Sequence, residues 1–377
     1  MQLNLEGDSL KRANARDAYP QRFKQFNSVI APVKRQRTLF FQTQKQKSMK
    51  PNSSEPLENY LVWSAYRAKA LGNCPRQYYY NCIGSWEGWN SESAPERQAA
   101  YRLKHLTTPE LEIGLLIHRQ VRDILEKARH GLTSSPANEI KLAQDLFTMF
   151  VEQSRVRMLE TLTAKKKKLL LHELGEALSN EEMADYLERI ATYLERFFQF
   201  ADVRAILANP TVLIPEFLDA PGFEISRELG VPARLRTDAL FVTANCYVIA
   251  DWKSSLISTG FGGDGPSPDQ RQQALVYDLF VRKKVDLPPT EKLEVRFYYL
   301  GSGQVETFEF TDEERAEKLW LCGEEFGELS RYSDDPKINI APEERFHARV
   351  SRACFHCNFQ QLCPAFIGSG LNAGRVI

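Results

Sequence analysis

The sequence contains no apolar run of about 18 residues or more, the length that a transmembrane helix needs. Its first residues also lack the apolar core of a secretory signal peptide. A Walker A motif is missing as well, because the glycine-rich stretch at 258–268 has no Lys-Ser or Lys-Thr pair after it. We therefore expect a cytoplasmic protein in a reducing compartment, with no membrane partner and no nucleotide cofactor.

The sequence has no net charge, since 49 Lys and Arg residues balance 49 Asp and Glu residues. The distribution is uneven: residues 1–50 hold eleven basic and three acidic residues, 11 − 3 = +8, so the remainder carries 38 − 46 = −8. The stretch PNSSEP at 51–56 has the composition of a linker. We expect residues 1–58 to form a basic, weakly ordered arm that either contacts nucleic acid or acts as a solubilising tail.

Cysteine is scarce, at seven residues, and four of the seven suggest a metal site. Cys354, Cys357 and Cys363 lie within ten residues, and Cys74 at the end of a predicted helix is the best candidate for a fourth ligand. Closing a loop of 354 − 74 = 280 residues costs entropy that grows only logarithmically with length. Four thiolates suit zinc or an iron–sulfur cluster. The sequence leaves both metals open, and unligated buried thiols are a third possibility.

Acidic and basic side chains flank a predicted β-hairpin. The apolar segments 239–242 and 247–250 are separated by a short polar turn, which predicts adjacent antiparallel strands. Asp238 precedes the first segment, and Asp251 and Lys253 follow the second; two carboxylates brought together repel unless a cation lies between them. Lys253 is on the same strand face as Asp251, about 7 Å along the backbone. The pattern predicts metal-assisted hydrolysis of a phosphodiester, and the alternative is a surface hairpin with solvated charges.

Periodicity elsewhere predicts a mixed α/β fold around this hairpin. Helices are predicted from residue 61 to 71 and at 110–130, 139–162, 181–207, 269–284 and 311–332. Strands are predicted at 211–218, 292–300 and 304–311. We divide the body into an N-terminal helical part at 59–137, a helical insertion at 138–210, a sheet core at 211–345 and a C-terminal cysteine segment at 346–377. The four lysines at 165–168 are either a solvated face or a phosphate-contacting surface.

Taken together, these residues resemble the RecB-like branch of the PD-(D/E)XK nuclease superfamily. The resemblance is to members with an iron–sulfur cluster, namely the CRISPR-adaptation nucleases, the nuclease domain of AddB and exonuclease V. It covers about residues 60–367. The matching positions are Gly114 and His118 in a Gly-x3-His motif, Asp238 as the isolated aspartate, Asp251 and Lys253 as the Asp-x-Lys signature, Gln273 and Tyr277 in a Gln-x3-Tyr motif, and Cys74, Cys354, Cys357 and Cys363 as cluster ligands.

The resemblance implies a restriction-endonuclease-like mixed β-sheet core flanked by helices, with a helical insertion. It also implies a cluster of four cysteines that joins the N-terminal and C-terminal parts. The implied catalytic residues are Asp238, Asp251, Lys253, Gln273 and Tyr277. The implied ligands of Mg²⁺ or Mn²⁺ are His118, Asp238, Asp251 and the carbonyl of Trp252. The implied ligands of a 4Fe-4S cluster are Cys74, Cys354, Cys357 and Cys363.

From this resemblance we expect a metal-dependent DNA nuclease, most similar to a single-strand-preferring exonuclease that an iron–sulfur cluster stabilises. A helicase or a single-strand-binding protein would be a suitable partner. Two alternatives remain: a nuclease subunit of a larger DNA repair, recombination or antiviral defence complex, and a nucleic-acid-binding module without catalysis. Aromatic residues near the cysteines either shield the cluster from water or stack on unpaired bases. These residues are Tyr78, Tyr79, Tyr80, Trp86, Trp89, Phe355 and Phe359.

Overall fold

The computed structural model of the chain describes residues 58–218, 225–254, 268–288, 290–335 and 337–369. The predicted basic arm, apart from its last residue, and nearly all of the glycine-rich loop lie outside the described residues. Among the described helices, none combines the length and the apolar character needed to cross a bilayer.

The described residues form eleven α-helices and six strands, a mixed α/β architecture consistent with a restriction-endonuclease-like fold. In chain order they are α1 (Ala65–Asn73), α2 (Pro75–Tyr79), α3 (Pro95–Leu103), β1 (Leu106–Thr107), α4 (Pro109–Arg129), α5 (Pro136–Val156), β2 (Lys168–Leu169), α6 (Leu170–Glu173), α7 (Asn180–Gln199), α8 (Ala201–Ala208), β3 (Ala239–Val242), β4 (Tyr247–Lys253), α9 (Pro268–Lys284), β5 (Leu293–Tyr299), β6 (Gln304–Phe308), α10 (Asp312–Arg331) and α11 (Pro364–Ile367). A π-helix, Tyr80–Gly84, directly follows α2.

The central sheet has four strands in the order β3-β4-β5-β6. The pair β4–β5 is parallel, with α9 as the connection, and the other two pairs are antiparallel hairpins. Strands β4 and β5 are buried along nearly their whole length, whereas β6 is mostly exposed, as expected for two central strands and one edge strand. Both predicted hairpins are present, and β4 extends beyond the predicted end to include Asp251 and Lys253.

Alternating residues of β4 face two separate cores. Val248, Ala250 and Trp252 join a large core built with α4, α5, α7 and α8. Tyr247 and Ile249 belong to a second core, on the opposite face, that contains buried residues of α9. Because side chains alternate along a strand, Asp251 and Lys253 belong to the face that α9 covers. The side chains of Asp251 and Lys253 can therefore meet side chains of α9.

The helices of segment 138–210 form a layer on the sheet. The ring of Phe197 in α7 lies 5.2 Å from that of Trp252, and Phe200 lies 5.1 Å from Tyr298. The predicted single helix at 181–207 is two helices, because Phe200 adopts an extended conformation between α7 and α8. The strands β1 and β2 pair in parallel and connect this segment to the N-terminal part of the fold.

The prediction of a strand at 211–218 is wrong. This stretch contains two short 3-10 helices, Pro210–Val212 and Pro215–Phe217, and only Leu213 forms a bridge, with Phe241 at the edge of the sheet. The physical reason is proline, which has no backbone N–H to donate to a strand ladder and favours the first position of a helical turn.

Two helix predictions need correction in detail. The N-terminal helix begins at Ala65, because residues 61–63 are extended and Trp63 N–H donates to the Pro232 carbonyl at 2.7 Å. In α9, Leu275 packs on the sheet as predicted. Val276 and Leu279 instead join a third core with Trp63 and residues of α10. Helix α9 is therefore buried between two cores.

The lysine run at 165–168 is only partly a solvated face. Lys167 lies 2.7 Å from Glu112, and Lys168, buried in β2, lies 2.7 Å from Glu173. These two ammonium groups neutralise carboxylates inside the fold. Only Lys165 and Lys166 are exposed.

The C-terminal segment packs against the N-terminal helices through hydrogen bonds. Arg76 Nε donates to the Phe346 carbonyl at 2.7 Å, and the Tyr80 hydroxyl donates to the Leu362 carbonyl at 2.8 Å. Asn358 Nδ2 donates to the Leu106 carbonyl at 2.8 Å. These hydrogen bonds join the N-terminal helices to the C-terminal segment.

Candidate active site

Asp238 and Asp251 lie at the same end of the β3–β4 hairpin. The last ladder pair is Ala239 opposite Ala250, so the register, continued by one residue, sets Asp238 opposite Asp251. Side chains at such opposed positions share one face and have Cβ atoms about 5 Å apart. Burial raises the pKa of Asp251, and the charge of Asp238 adds to that rise, so the two carboxyl groups lie within electrostatic range.

Both oxygens of Asp238 have a partner. Its Oδ1 atom lies 3.0 Å from His118 Nδ1, and its Oδ2 atom accepts a hydrogen bond from the Trp252 backbone N–H at 2.9 Å. Burial disfavours a charged imidazole, but the hydrogen bond and charge of Asp238 outweigh it and raise the pKa of His118 above its ordinary value. His118 reaches the site from α4, which begins at Pro109 after the Thr108 N-cap.

Asp251 begins a chain of contacts that crosses from β4 to α9. Its Oδ2 atom lies 2.7 Å from the Lys253 ammonium, which donates to Gln273 Oε1 at 2.8 Å. Gln273 Nε2 then donates to the Tyr277 hydroxyl at 2.8 Å. Gln273 and Tyr277 are four residues apart, so they share one face of α9 and meet the strand together. The ammonium also lies 4.3 Å from the ring centre of Phe297.

The surroundings of Asp251 disfavour the ionised form of its carboxyl group. Its side chain is 5% exposed, and burial raises its pKa even though Lys253 acts in the opposite direction. The Oδ2 atom lies close to the ammonium without the alignment of a hydrogen bond, and the Tyr277 hydroxyl interacts with the same carboxyl group. Burial, followed by the charge of Asp251, likewise raises the pKa of Tyr277 well above its ordinary value. A further cation would relieve both effects.

Gly114 allows α4 to approach the end of β4 closely. A Cβ atom at this position would lie 3.2 Å from Ser254 Oγ, which is tighter than an ordinary contact. Ser254 directly follows Lys253, and Gly114 lies about one turn before His118. The glycine of the Gly-x3-His motif therefore sets the distance between the helix that carries His118 and the strand that carries Asp251.

The two carboxylates suit a hard divalent cation, since carboxylate oxygens are ligands that Mg²⁺ and Mn²⁺ prefer. Asp251 Oδ2, buried and without a hydrogen bond, is the atom that most needs such a partner. Among the described residues, however, no three His, Cys, Asp or Glu side chains are arranged to hold one metal ion. His118 and Asp238 bind each other, and Asp251 lies against Lys253.

Cys74, Cys354, Cys357 and Cys363 line one cavity. Two of the sulfurs accept backbone hydrogen bonds: Arg349 N–H lies 3.5 Å from Cys74 Sγ, and Ser351 N–H lies 3.4 Å from Cys354 Sγ. Burial raises the pKa of the Cys357 thiol to about 11, and the other three sulfurs add to that rise. Arg76, Tyr80 and Phe366 are among the remaining lining residues.

These four sulfurs are not arranged as a tetrahedral site for a single ion. A Zn²⁺ ion binds each thiolate at about 2.3 Å, so its ligands must converge closely. Within the described residues no such convergent group exists. An iron–sulfur cluster is a larger body that is held by four cysteines at its periphery and by hydrogen bonds to the sulfurs.

The aromatic residues near the cysteines differ in exposure. Tyr78, Tyr80 and Phe359 are buried, and the ring centres of Tyr80 and Phe359 lie 5.3 Å apart. Trp89 is 45% exposed and packs edge-on against Trp86 at 5.1 Å. Burial favours the shielding interpretation for the first three residues. Trp89 keeps an accessible face.

Two groups at the site were missed by reasoning from the sequence. The Trp252 N–H, rather than the expected carbonyl alone, contacts Asp238. Ser254 limits the approach of α4. Extending the hairpin register past Ala250 could have identified the first group, because it sets β4 backbone atoms opposite Asp238. The sequence carries no signal for the second group, since Gly114 and Ser254 are 140 residues apart (254 − 114).

Comparison with protein families gives one match. A family model described as the PD-(D/E)XK nuclease superfamily matches residues 62–364, which is more than three quarters of the chain. The matched range includes every residue of the site and all four cysteines that line the cavity. Among curated proteins, none matches the chain.

Proposed function

Because the chain belongs to the PD-(D/E)XK nuclease superfamily, we propose that it is a metal-dependent deoxyribonuclease that hydrolyses phosphodiester bonds in single-stranded DNA. The observation that carries this proposal is that the hairpin register sets two groups of contacts opposite each other, His118 with Asp238 and Asp251 with Lys253 and Gln273. It joins the motif residues of three different elements around two opposed carboxylates.

Asp238, Asp251 and His118 would hold Mg²⁺ or Mn²⁺, with the Trp252 carbonyl as a further ligand. When bound, the metal neutralises phosphate charge and lowers the pKa of a water molecule at the site. Asp251 supports this role because its carboxylate is buried and incompletely satisfied. Asp238 is oriented by the Trp252 N–H, so its position does not depend on the metal.

Lys253 orients the attacking water and offsets the negative charge that develops on the phosphate in the transition state. Its ammonium is fixed by Asp251, Gln273 and the ring of Phe297, which reduces the reorganisation that the reaction requires. Gln273 and Tyr277 position the ammonium rather than contact the reacting atoms. These roles follow from geometry and from the resemblance to the superfamily motifs.

The preference for single strands and for exonucleolytic cleavage is proposed from the resemblance to exonuclease V. The helical layer at 138–210 is the counterpart of the inserted helices of that family. Leu111 and Leu115 are exposed on α4, seven and three residues before His118, so they lie on the helix face that carries the site histidine. Unpaired bases can contact such apolar side chains, whereas the bases of a duplex are stacked inside it.

We further propose that Cys74, Cys354, Cys357 and Cys363 bind a 4Fe-4S cluster that stabilises the fold. The support is that the four thiols line one cavity and that two backbone N–H groups already point at their sulfurs. The cluster would add a covalent connection where hydrogen bonds already join the N-terminal helices to the C-terminal segment.

The test is cleavage of 5′- and 3′-labelled single and double strands by the purified protein, with and without Mn²⁺. We expect Mn²⁺-dependent cleavage of single strands that Lys253→Ala reduces by about 100-fold or more. The matched control is Lys141→Ala, since Lys141 is an exposed lysine on α5 that pairs with Asp145. Full activity of Lys253→Ala would rule out the catalytic role of the lysine, and absence of any cleavage by the wild type would refute the proposed function.

A further inference from the structure

Helix α4 has two faces of opposite character. Its inner face belongs to the large core, through fully buried residues such as Ile117, Val121 and Ile124. On the outer face, Leu111 is 61% exposed and Leu115 is 46% exposed. Packing of the core therefore does not account for these two leucines, which leave apolar surface in contact with water.

The two leucines share one strip of α4 with the site histidine. At 3.6 residues per turn, the side chains of Leu111, Leu115, His118 and Arg119 lie within about 100° of the helix circumference. We call these four residues the α4 strip. The side chain of His118 is 37% exposed, although its Nδ1 atom lies 3.0 Å from Asp238. The strip therefore leads over the protein surface from the first turn of the helix to the catalytic residues.

Arg119 supplies the positive charge of the strip. It is exposed, and its Nε atom donates to the Leu115 carbonyl at 3.3 Å. Each of the other three Lys and Arg residues of α4 lies 2.6 to 2.8 Å from a carboxylate; they are Arg122, Lys127 and Arg129. Within the described part of the chain, Arg119 forms no salt bridge. Its guanidinium is available to an anion from solution, and its planar fork suits a phosphate.

The order of these groups along the helix suits a single nucleic-acid strand. At 1.5 Å per residue, Leu115 lies about 4.5 Å and Leu111 about 10.5 Å from His118 along the axis. Nucleotides of a stacked strand are about 3.4 Å apart, so the leucines are about one to three nucleotides from the site. Unpaired bases can present their apolar faces to such side chains, whereas a duplex keeps those faces inside its stack.

The position of His118 distinguishes a substrate strand from a protein as the occupant of the strip. A protein that covered both leucines would also cover His118, because all three share the strip, and it would close the site. A substrate strand has to reach His118 for the reaction to occur. The helix also borders the end of β4, since a Cβ atom at Gly114 would lie 3.2 Å from Ser254 Oγ. A strand on the strip is therefore beside the strand of the sheet that carries the catalytic lysine.

We propose that the α4 strip binds the substrate strand beside the bond that is cut, with Arg119 on a backbone phosphate and with Leu111 and Leu115 against unpaired bases. The inference rests on the proposed function, because it takes the DNA substrate and the position of the cut from it. It assigns the preference for single strands to the two leucines. It assigns the register of the strand to Arg119, since a phosphate contact positions a strand independently of base sequence.

The test measures binding apart from cleavage, so the full chain carries Lys253→Ala in every sample. Fluorescence anisotropy follows labelled single-stranded and double-stranded oligonucleotides of one sequence in the presence of Mn²⁺. We expect Leu111→Gln and Leu115→Gln each to weaken binding of the single strand by about 3- to 10-fold, the effect of losing about half of a leucine's burial. Binding of the duplex should not change. Glutamine is a good helix former, and Leu142→Gln, at a 45% exposed position on α5, is the matched control.

The salt dependence of single-strand binding tests Arg119. We expect Arg119→Gln to reduce the slope of log affinity against log salt concentration by about 0.7, the value for one phosphate contact with a single strand. Arg119→Lys should keep the slope because it keeps the charge. The leucine variants should weaken binding without a change of slope. Arg331→Gln, at an exposed position on α10, is the matched control and should change neither quantity.

A second measurement leaves the α4 strip intact, so it does not depend on whether the Gln variants fold. Abasic nucleotides replace the nucleotides of the single strand one at a time. We expect one or two positions near the cut whose replacement weakens binding as much as Leu115→Gln does. The same replacement should cause no further loss in the Leu115→Gln chain. Equal losses at all positions would overturn the base contacts.

The outcomes separate this inference from the proposed function. If the wild type cleaves single-stranded DNA but the three Gln variants of the strip bind it normally, the inference is overturned and the nuclease assignment stands. If the leucine variants weaken duplex binding as much as single-strand binding, the inference is overturned as well. A dimer in solution that Leu115→Gln dissociates would assign the strip to a second copy of the chain and overturn it too. If the wild type neither binds nor cleaves DNA with Mn²⁺, the nuclease assignment itself is refuted.

Discussion

Gln273 accepts a hydrogen bond from the Lys253 ammonium at 2.8 Å and so connects α9 to the end of β4. The other end of the same amide donates to the Tyr277 hydroxyl, which fixes the orientation of the amide. Lys253 in turn lies 2.7 Å from Asp251. The catalytic ammonium of the proposed mechanism is therefore held by a residue that need not contact DNA.

This contact predicts a positioning role for Gln273. We expect Gln273→Ala to lower kcat by about 10-fold and to leave KM nearly unchanged, because a mobile ammonium stabilises the transition state less well. The matched control is Gln272→Ala, an exposed neighbour on α9. Steady-state kinetics on a labelled single strand provides the measurement. A higher KM with a normal kcat would show that Gln273 contacts the substrate instead.

The buried carboxylate of Asp251 predicts a metal-linked change in stability. A cation that binds only the folded state stabilises it by about 2.7 kcal/mol when its concentration is 100 times Kd. We expect Mn²⁺ to raise the Tm of the wild type and to have no effect on Asp251→Asn, measured against EDTA. Asp145→Asn, at an exposed position on α5, is the control and should respond like the wild type. An equal Mn²⁺ response in Asp251→Asn would mean that the cation binds elsewhere.

The cysteine cavity predicts iron in the protein after anaerobic purification. We expect about four iron atoms per chain and broad visible absorption, both lost in Cys354→Ser together with a lower Tm. Cys322→Ser is the control, because Cys322 is buried in α10 outside this cavity and should not alter the iron content. One zinc per chain without visible absorption would contradict the cluster and favour the single-ion alternative.

The hairpin that carries the aspartates could be predicted from the sequence because its signal is local. Two apolar segments with a short polar turn determine the strands, and the register then follows from the turn. The strand predicted at 211–218 is absent because Pro215 favours a 3-10 turn, although the apolar pattern is that of a strand.

The remaining features depend on tertiary contacts that no local pattern encodes. The break at Phe200 has neither glycine nor proline to mark it, and it coincides with the packing of Phe200 on Tyr298. Trp63 and Ala233 are 170 residues apart (233 − 63), so their bridge is a tertiary contact that no local pattern predicts. The intrinsic helix and strand propensities of the residues predict neither feature.

Because His105 is buried, we expect the folded protein to lose stability in acid. Burial lowers the pKa of His105 to about 4, and its Nε2 atom has no hydrogen-bond partner among the described residues. The unfolded chain, with a pKa of about 6.5, binds the proton first, so stability is full above about pH 6.5 and falls as the pH decreases toward 4. We expect a loss of about 1 to 2 kcal/mol, because the ring keeps some solvent contact.

Urea unfolding between pH 7 and 4.5 measures this effect. His105→Phe keeps the edge-on contact with Tyr101 and removes the titrating group, so its stability should depend less on pH than that of the wild type. His130→Gln, at an exposed position, is the control and should follow the wild-type curve. Parallel curves for the wild type and His105→Phe would exclude His105 as the source of the acid sensitivity.

The close approach at Gly114 leads us to expect that Gly114→Ala lowers activity without lowering stability. The Cβ atom of Gly114→Ala would lie 3.2 Å from Ser254 Oγ, so the two must separate by a few tenths of an ångström, and any part of this shift that α4 takes moves His118. Alanine within a helix favours folding by about 0.5–1 kcal/mol relative to glycine, which offsets the cost of the shift.

We therefore expect Gly114→Ala to lower nuclease activity by about 3- to 10-fold at an unchanged or slightly higher Tm, since small displacements of catalytic groups are costly. Adding Ser254→Ala removes the one atom of the described residues that the new methyl group would meet, so the double variant should recover most of the activity. Gly323→Ala, on α10 with open space around it, is the control. If Ser254→Ala fails to restore activity, the close approach of α4 to β4 is not what the glycine provides, and the effect must come from the backbone at residue 114 itself.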